Sequence, residues 1–199
     1  MSTSTAPDAG TADGTVTTQL ANGRTCELPS SSPLAKLLRS QRTWVGPDAR
    51  ARQAILRSAK SVAIVGASPN PTRSSSFVGT YLQQSSDLRV YFVNPRADVI
   101  LGEKAYPDLA SLPEVPDIVD VFRKASDIPS VVDDVLASGA STIWVQLGIW
   151  NEEAARHAEE KGLTVVMDRC IKVEHARFNG GLNLMGFDTG VISSRRSRR

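Results

Sequence analysis

The sequence predicts an α/β fold: a Rossmann-like doubly wound parallel sheet in a single domain, with an N-terminal helical extension. Three observations predict it. From Ser61 onward, short runs of β-branched and apolar residues alternate with helical segments of about ten residues. Gly or Pro bounds the runs. The runs are apolar almost throughout, which marks strands covered on both faces.

The segment SVAIVG, Ser61 to Gly66, is the first of these strands, and SSFVGTYLQQS has the spacing of a helix. LRVYFVNP is a strand stopped by Pro95. VPDIVDVF is a strand, and SDIPSVVDDVLASG is a helix with Ser126 as its cap and Gly139 as its stop. STIWVQLG is a strand, NEEAARHAEEKG a helix capped by Asn151, and LTVVMD the last strand. Right-handed crossovers then lay helices on both faces of the sheet.

Residues 1–33 are rich in Ser, Thr, Ala, Gly and Pro and lack an apolar period, so they are expected to form a disordered or loosely docked arm. Within it, GRTCELPSSSP can add a short edge segment. Residues 34–60 read as the helical extension. SPLAKLLRSQRTW offers Ser32 as a cap, Pro33 at the first helical position and Leu34, Leu37 and Leu38 on one face. GPDARARQAILRSAK has Asp48 near its start and Ala51, Ala54, Ile55 and Ala59 at helical spacing. The main domain spans residues 61–190. Residues 191–199 are a basic tail with Arg195, Arg196, Arg198 and Arg199.

A chain of 199 residues is long enough for one well-buried domain and short for two. No apolar run approaches the roughly 20 residues that span a bilayer, and the first residues carry no basic or apolar signal region. The two cysteines, Cys26 in the arm and Cys170 after a strand, do not suggest a structural disulfide, which fits a reducing cytoplasm. The net charge of +2 is concentrated in the tail, where a solvated terminus explains it better than nucleic acid does. A protein partner for that tail, or a homo-oligomer, stays open. His157 and His175 lie outside any H-E-x-x-H or Cys-x-x-Cys pattern, so no metal is expected. No G-x-S-x-G elbow and no nucleophile–base pair is visible, so no catalytic residue is assigned. Glu152, Glu153, Glu159 and Glu160 read as solvated helix charge.

In a doubly wound sheet, ligands bind outside the carboxyl ends of the strands, where strand order reverses. That rule directs attention to the turns. Gly66 permits a sharp turn and close approach of a ligand, and Ala67 and Ser68 keep the approach open. The amides near Ser74 to Ser76 can face an anion, with Arg73 adding charge. After the second strand stand Asn94, Pro95 and Arg96, where an NAD site would carry an acid. An arginine there favours a phosphorylated ribose, which both NADP and coenzyme A possess. Val121, Phe122 and Arg123 close the third strand. Phe122 can pack on adenine or enter the core, and Arg123 can meet a phosphate or pair with an acid. Gln146 and Gly148 follow the fourth strand. Cys170 follows the fifth, with Asp168, Arg169 and Lys172 as neighbours; it reads either as a redox-active thiol or as a small buried residue.

The ordered set VAIVGASPNPTRSS, VYFVNPR, DIVDVFRK, IWVQLG and VVMDRCIK resembles the small stand-alone CoA-binding proteins of bacteria, over about residues 50–190. Their domain is similar to the N-terminal CoA-binding domain of the succinyl-CoA synthetase alpha subunit. The resemblance implies coenzyme A, or acyl-CoA, as ligand. Gly66, Ala67, Ser68 and Arg73 would hold the nucleotide and its phosphates. Asn94, Pro95 and Arg96 would sit by the ribose phosphate, Val121, Phe122 and Arg123 near adenine, and Gln146 and Gly148 along the remaining edge. The synthetase's phosphohistidine domain has no counterpart in the matched region. The expectation is a non-catalytic carrier, sensor or regulator of CoA; the alternative is an NADP-dependent oxidoreductase or a CoA-ligase-like enzyme component. A thiol placed at Cys170 would also allow a mixed disulfide with CoA.

Overall fold

The structure, a computed structural model, describes residues 15–19, 25–29 and 42–179. The chain divides into two compact units, Met1–Thr43 and Trp44–Arg199. In the first, β1 (Thr15–Gln19) pairs antiparallel with β2 (Thr25–Pro29), and Cys26 stands opposite Thr18. The helix expected from Ser32 and the basic tail at 191–199 lie outside the described residues.

The second unit begins with α1 (Ala49–Ser58), capped by Asp48, whose Oδ1 accepts the Ala51 N–H at 2.8 Å. Its inward face departs from the expected one. Ala51 and Ala54 are exposed, while Arg52 and Leu56 are buried. A leucine gains more from burial than an alanine, and Arg52 goes inside because Glu174 meets it there at 2.8 Å.

Then follow β3 (Ser61–Val65), α2 (Ser74–Ser85), β4 (Arg89–Val93), β5 (Val99–Ile100), β6 (Glu103–Tyr106), β7 (Ile118–Val121), α3 (Ile128–Ser138), β8 (Thr142–Val145), α4 (Glu152–Glu160), β9 (Thr164–Val166) and α5 (Ile171–Asn179). The sheet has seven strands in the order β5-β6-β4-β3-β7-β8-β9. All of its pairings are parallel except β5 with β6. Strand order therefore reverses between β3 and β7, the arrangement of a doubly wound nucleotide-binding sheet.

The β5–β6 hairpin had no counterpart in the sequence reading. It turns through Leu101 and Gly102, both at positive φ (51° and 82°), as a two-residue hairpin turn demands. Ser126 is not the helix cap expected for it. It lies in a 3₁₀ turn, Ala125–Asp127, and its Oγ donates to Asp127 Oδ1. Pro129 in the first turn of α3 needs no partner for an N–H, which removes part of the need for a cap. Gly139 does end α3, in the left-handed conformation, and Asn151 does cap α4 by accepting the Ala154 N–H at 3.0 Å.

Two apolar layers enclose the sheet. Val119 and Val121 of β7 and Ile143 and Val145 of β8 point to one layer, with α3 and α4. Val62 and Ile64 of β3, Phe92 of β4 and Trp144 of β8 point to the other, with α1, α2 and α5. Gly79 brings α2 close to the sheet: a Cβ there would stand 2.7 Å from the Phe92 ring. Glu159 is not simply solvated. Its Oε2 accepts the indole N–H of buried Trp44 at 2.9 Å.

Candidate functional site

At the reversal point, strand geometry dictates the first turn. The Gly66 N–H continues the ladder to the Val93 carbonyl at 3.1 Å, and the Phe122 N–H donates to the Val65 carbonyl at 2.8 Å. Gly66 then leaves β3 at φ +82°, and an added Cβ would lie 2.5 Å from the Phe122 carbonyl oxygen. Only glycine meets both demands without strain. The loop beyond it is held by short polar bonds. The Ser68 N–H donates to Ser75 Oγ at 3.1 Å, and Ser68 Oγ accepts the Asn70 N–H at 3.2 Å. Asn70 Oδ1 accepts from the backbone and the hydroxyl of Thr72. Arg73 holds the N-cap position of α2 without capping it through its side chain. The first turn of α2 thus offers uncapped amides beside a cationic residue.

Gly66, Ser68, Arg73, Ser74, Ser75 and Phe122 line a recess of about 290 Å³. A second, of about 470 Å³, shares Ser74 and Phe122 with it and adds Val78, Arg123, Lys124, Gln146, Leu147, Ile149 and Cys170. Together they form a cleft over the carboxyl ends of β3, β7 and β8. A larger recess, about 520 Å³ with Arg57, Asp87 and His175 in its wall, lies at the amino edge of the sheet, away from where such folds bind ligands.

Gly66, Ser68, Arg73, Phe122, Arg123, Gln146 and Cys170 are therefore brought together. The other residues singled out in the sequence stand around them. Ala67 and Val121 are buried. Asn94 donates its side-chain N–H to the Ala67 carbonyl at 2.7 Å and accepts the Arg96 N–H at 2.8 Å. Pro95 and Arg96 are exposed at the end of β4. The Gly148 N–H donates to Asp168 Oδ1 at 2.7 Å. Arg123 pairs loosely with Asp127 at 3.7 Å. Cys170 is a half-buried free thiol. The charges near it in sequence turn elsewhere, Arg169 to the Asp168 carbonyl and Lys172 to the Tyr81 ring.

Sequence reasoning passed over Lys124, which adds a second cation beside Arg123, and Asp120. Asp120 is fully buried, and its Oδ1 accepts from Gln146 Nε2 at 2.7 Å. Burial pushes its carboxyl up to about 8, against the opposing hydrogen bond from Gln146. The available signal was an acid amid the apolar residues of IVDV. Among the described residues no group of three or more His, Cys, Asp or Glu is placed to hold a metal ion, and no helix is long and apolar enough to cross a membrane.

A family model described as a CoA binding domain matches residues 60–176. The chain is 42% identical over 122 residues to the uncharacterized protein YneT of Bacillus subtilis (strain 168), covering 61% of this chain and 90% of YneT. It is 28% identical over 138 residues to acetate–CoA ligase [ADP-forming] II of Archaeoglobus fulgidus, covering 68% of this chain but only 20% of the ligase. Among solved structures, a hypothetical protein from Pyrococcus horikoshii OT3 shares the fold with a TM-score of 0.64 and 36% identity, covering 71% of this chain and 99% of that one. With its family model spanning the sheet from β3 into α5, the chain belongs to the CoA binding domain family.

Proposed function

We propose that the protein binds coenzyme A or an acyl-CoA through the 3′-phosphorylated ADP portion, as a non-catalytic carrier, sensor or regulator in the cytoplasm. The observation that carries this reading is the uncapped start of α2 facing Gly66, with Arg73 beside it. Free helix-start amides and a guanidinium suit a diphosphate. The linings hold Arg73, Arg123 and Lys124 and neither carboxylate nor imidazole, a composition suited to an anion. The apolar wall of Val78, Phe122, Leu147 and Ile149 suits an adenine ring or a pantetheine arm. In this reading Asn94, Pro95 and Arg96 lie by the ribose phosphate, Val121 to Arg123 near adenine, and Gln146 and Gly148 along the outer edge.

Calorimetry with CoA, dephospho-CoA and NADP tests it. Saturable CoA binding that weakens without the 3′-phosphate is expected. Heat from NADP and none from CoA would replace this reading with that of a reductase. A second reading, a CoA-handling component of a ligase, draws on the similarity to one fifth of the Archaeoglobus enzyme. It requires a partner that co-purifies and confers CoA-dependent ATP turnover.

A further inference from the structure

Asp120 occupies a costly position. Its neighbours Ile118, Val119 and Val121 in β7 are all buried, and it is paired in register with Ile64 on β3 and Trp144 on β8. Strand alternation turns its carboxyl toward the layer that contains Ile64 and Trp144, under α2 and α5. Oδ1 accepts from Gln146 Nε2, whereas Oδ2 is buried and has no partner. A buried polar atom with an unmade hydrogen bond costs stability, and an apolar residue of similar shape would cost less. No charged side chain offsets that cost; Gln146 is the group that meets the carboxyl.

Gln146, the residue so held, lines the recess of about 470 Å³ over the strand ends. The bond to Asp120 uses one of the two N–H groups on Nε2 and fixes the plane of the amide, so Gln146 keeps Oε1 and one N–H for the recess, and among the described residues no group donates to that oxygen. We propose that Asp120 is a positioning residue for the ligand: it fixes the Gln146 amide so that an acceptor oxygen meets an N–H or O–H donor of the bound molecule beside Phe122. CoA offers such donors in the adenine amino group and the pantetheine amides. The inference rests on the CoA reading above and adds to it the group that orients the ligand.

Calorimetry with CoA, together with melting curves and the Gln146 side-chain amide signals of ¹⁵N-labelled protein, tests it. In Asp120→Leu the melting temperature holds or rises, CoA affinity falls about tenfold and the Gln146 signals move. Asp120→Asn keeps the acceptor, so its affinity stays within about twofold and the signals stay in place. Wild-type affinity in Asp120→Leu, unmoved Gln146 signals, or affinity lost together with melting temperature in both variants overturns the inference. A leucine variant that does not fold passes the test to Gln146→Met, where CoA affinity equal to wild type overturns it. Wild-type protein that binds no CoA overturns the CoA reading and this inference together; any of the other results overturns this inference alone.

Discussion

Asn94 Nδ2 donates to the Ala67 carbonyl at 2.7 Å, tying the end of β4 to the turn that leaves β3. The same amide accepts the Arg96 N–H through Oδ1. Both ends of the side chain are in use, so neither Asp nor Leu can replace it. Asn94→Asp sets a carboxylate against a carbonyl oxygen and is expected to cost about 1–3 kcal/mol. Urea unfolding checks this; an unchanged midpoint would show that the tie contributes nothing.

Gly66→Ala is expected to destabilise by about 1–3 kcal/mol, because an alanine must adopt the left-handed backbone and press its Cβ on the Phe122 carbonyl. The turn would shift, and CoA affinity would fall with it. Unfolding curves and calorimetry on the same preparation separate the two effects.

The Arg52–Glu174 pair is buried on both sides, and Arg52 also donates to the Pro47 carbonyl. Removing Arg52 leaves buried Glu174 with the longer pairing to Arg177 at 3.6 Å, so Arg52→Ala is expected to cost about 1.5–3 kcal/mol. Replacing Arg52 and Glu174 together with Met should recover part of that loss. A double variant as unstable as the single one would place the cost in packing rather than in the weakened pairing.

Asp120 makes stability depend on pH in a particular direction. Its folded pKa, about 8, lies above the ordinary carboxylate value, so the folded state holds a proton that the unfolded chain releases. Stability is then greatest below the ordinary carboxylate range and falls as pH rises through the window up to about 8, by at most about 1.4 kcal/mol per pH unit. Melting curves across that window should flatten in Asp120→Asn. Asp117 works in the opposite sense: backbone N–H groups of Lys60 and Ser61 hold its carboxyl low, and its contribution is lost as pH falls.

Arg96 is exposed at the end of β4. If it meets the ribose phosphate, Arg96→Ala lowers CoA affinity about tenfold and leaves dephospho-CoA almost unchanged. Equal losses for both ligands would move the contact to the diphosphate.

The parallel strands were legible because each is a nearly unbroken apolar run ended by Gly, Pro or a polar turn, a pattern that burial on both faces produces. The β5–β6 hairpin was not legible: β5 is only two residues long, and its turn depends on Leu101 taking a backbone conformation that leucine rarely adopts. The buried face of α1 was misread because spacing registers hydrophobicity and cannot foresee that Glu174, more than a hundred positions later, admits Arg52 to the interior. At the site, the turns announced themselves through Gly66, Arg73, Phe122 and Gln146. Asp120 did not, since a strand acid reads as solvent-facing until the neighbouring strands on both sides are known.

The Arg52–Glu174 contact joins the helix that precedes the first sheet strand to the helix that follows the last. The two helices that flank the sheet in sequence thus latch to each other on one layer, and the strands between them are closed off by a contact within the module itself. A fold with that architecture can serve as a free-standing protein in one lineage and as one compartment of a much larger enzyme in another.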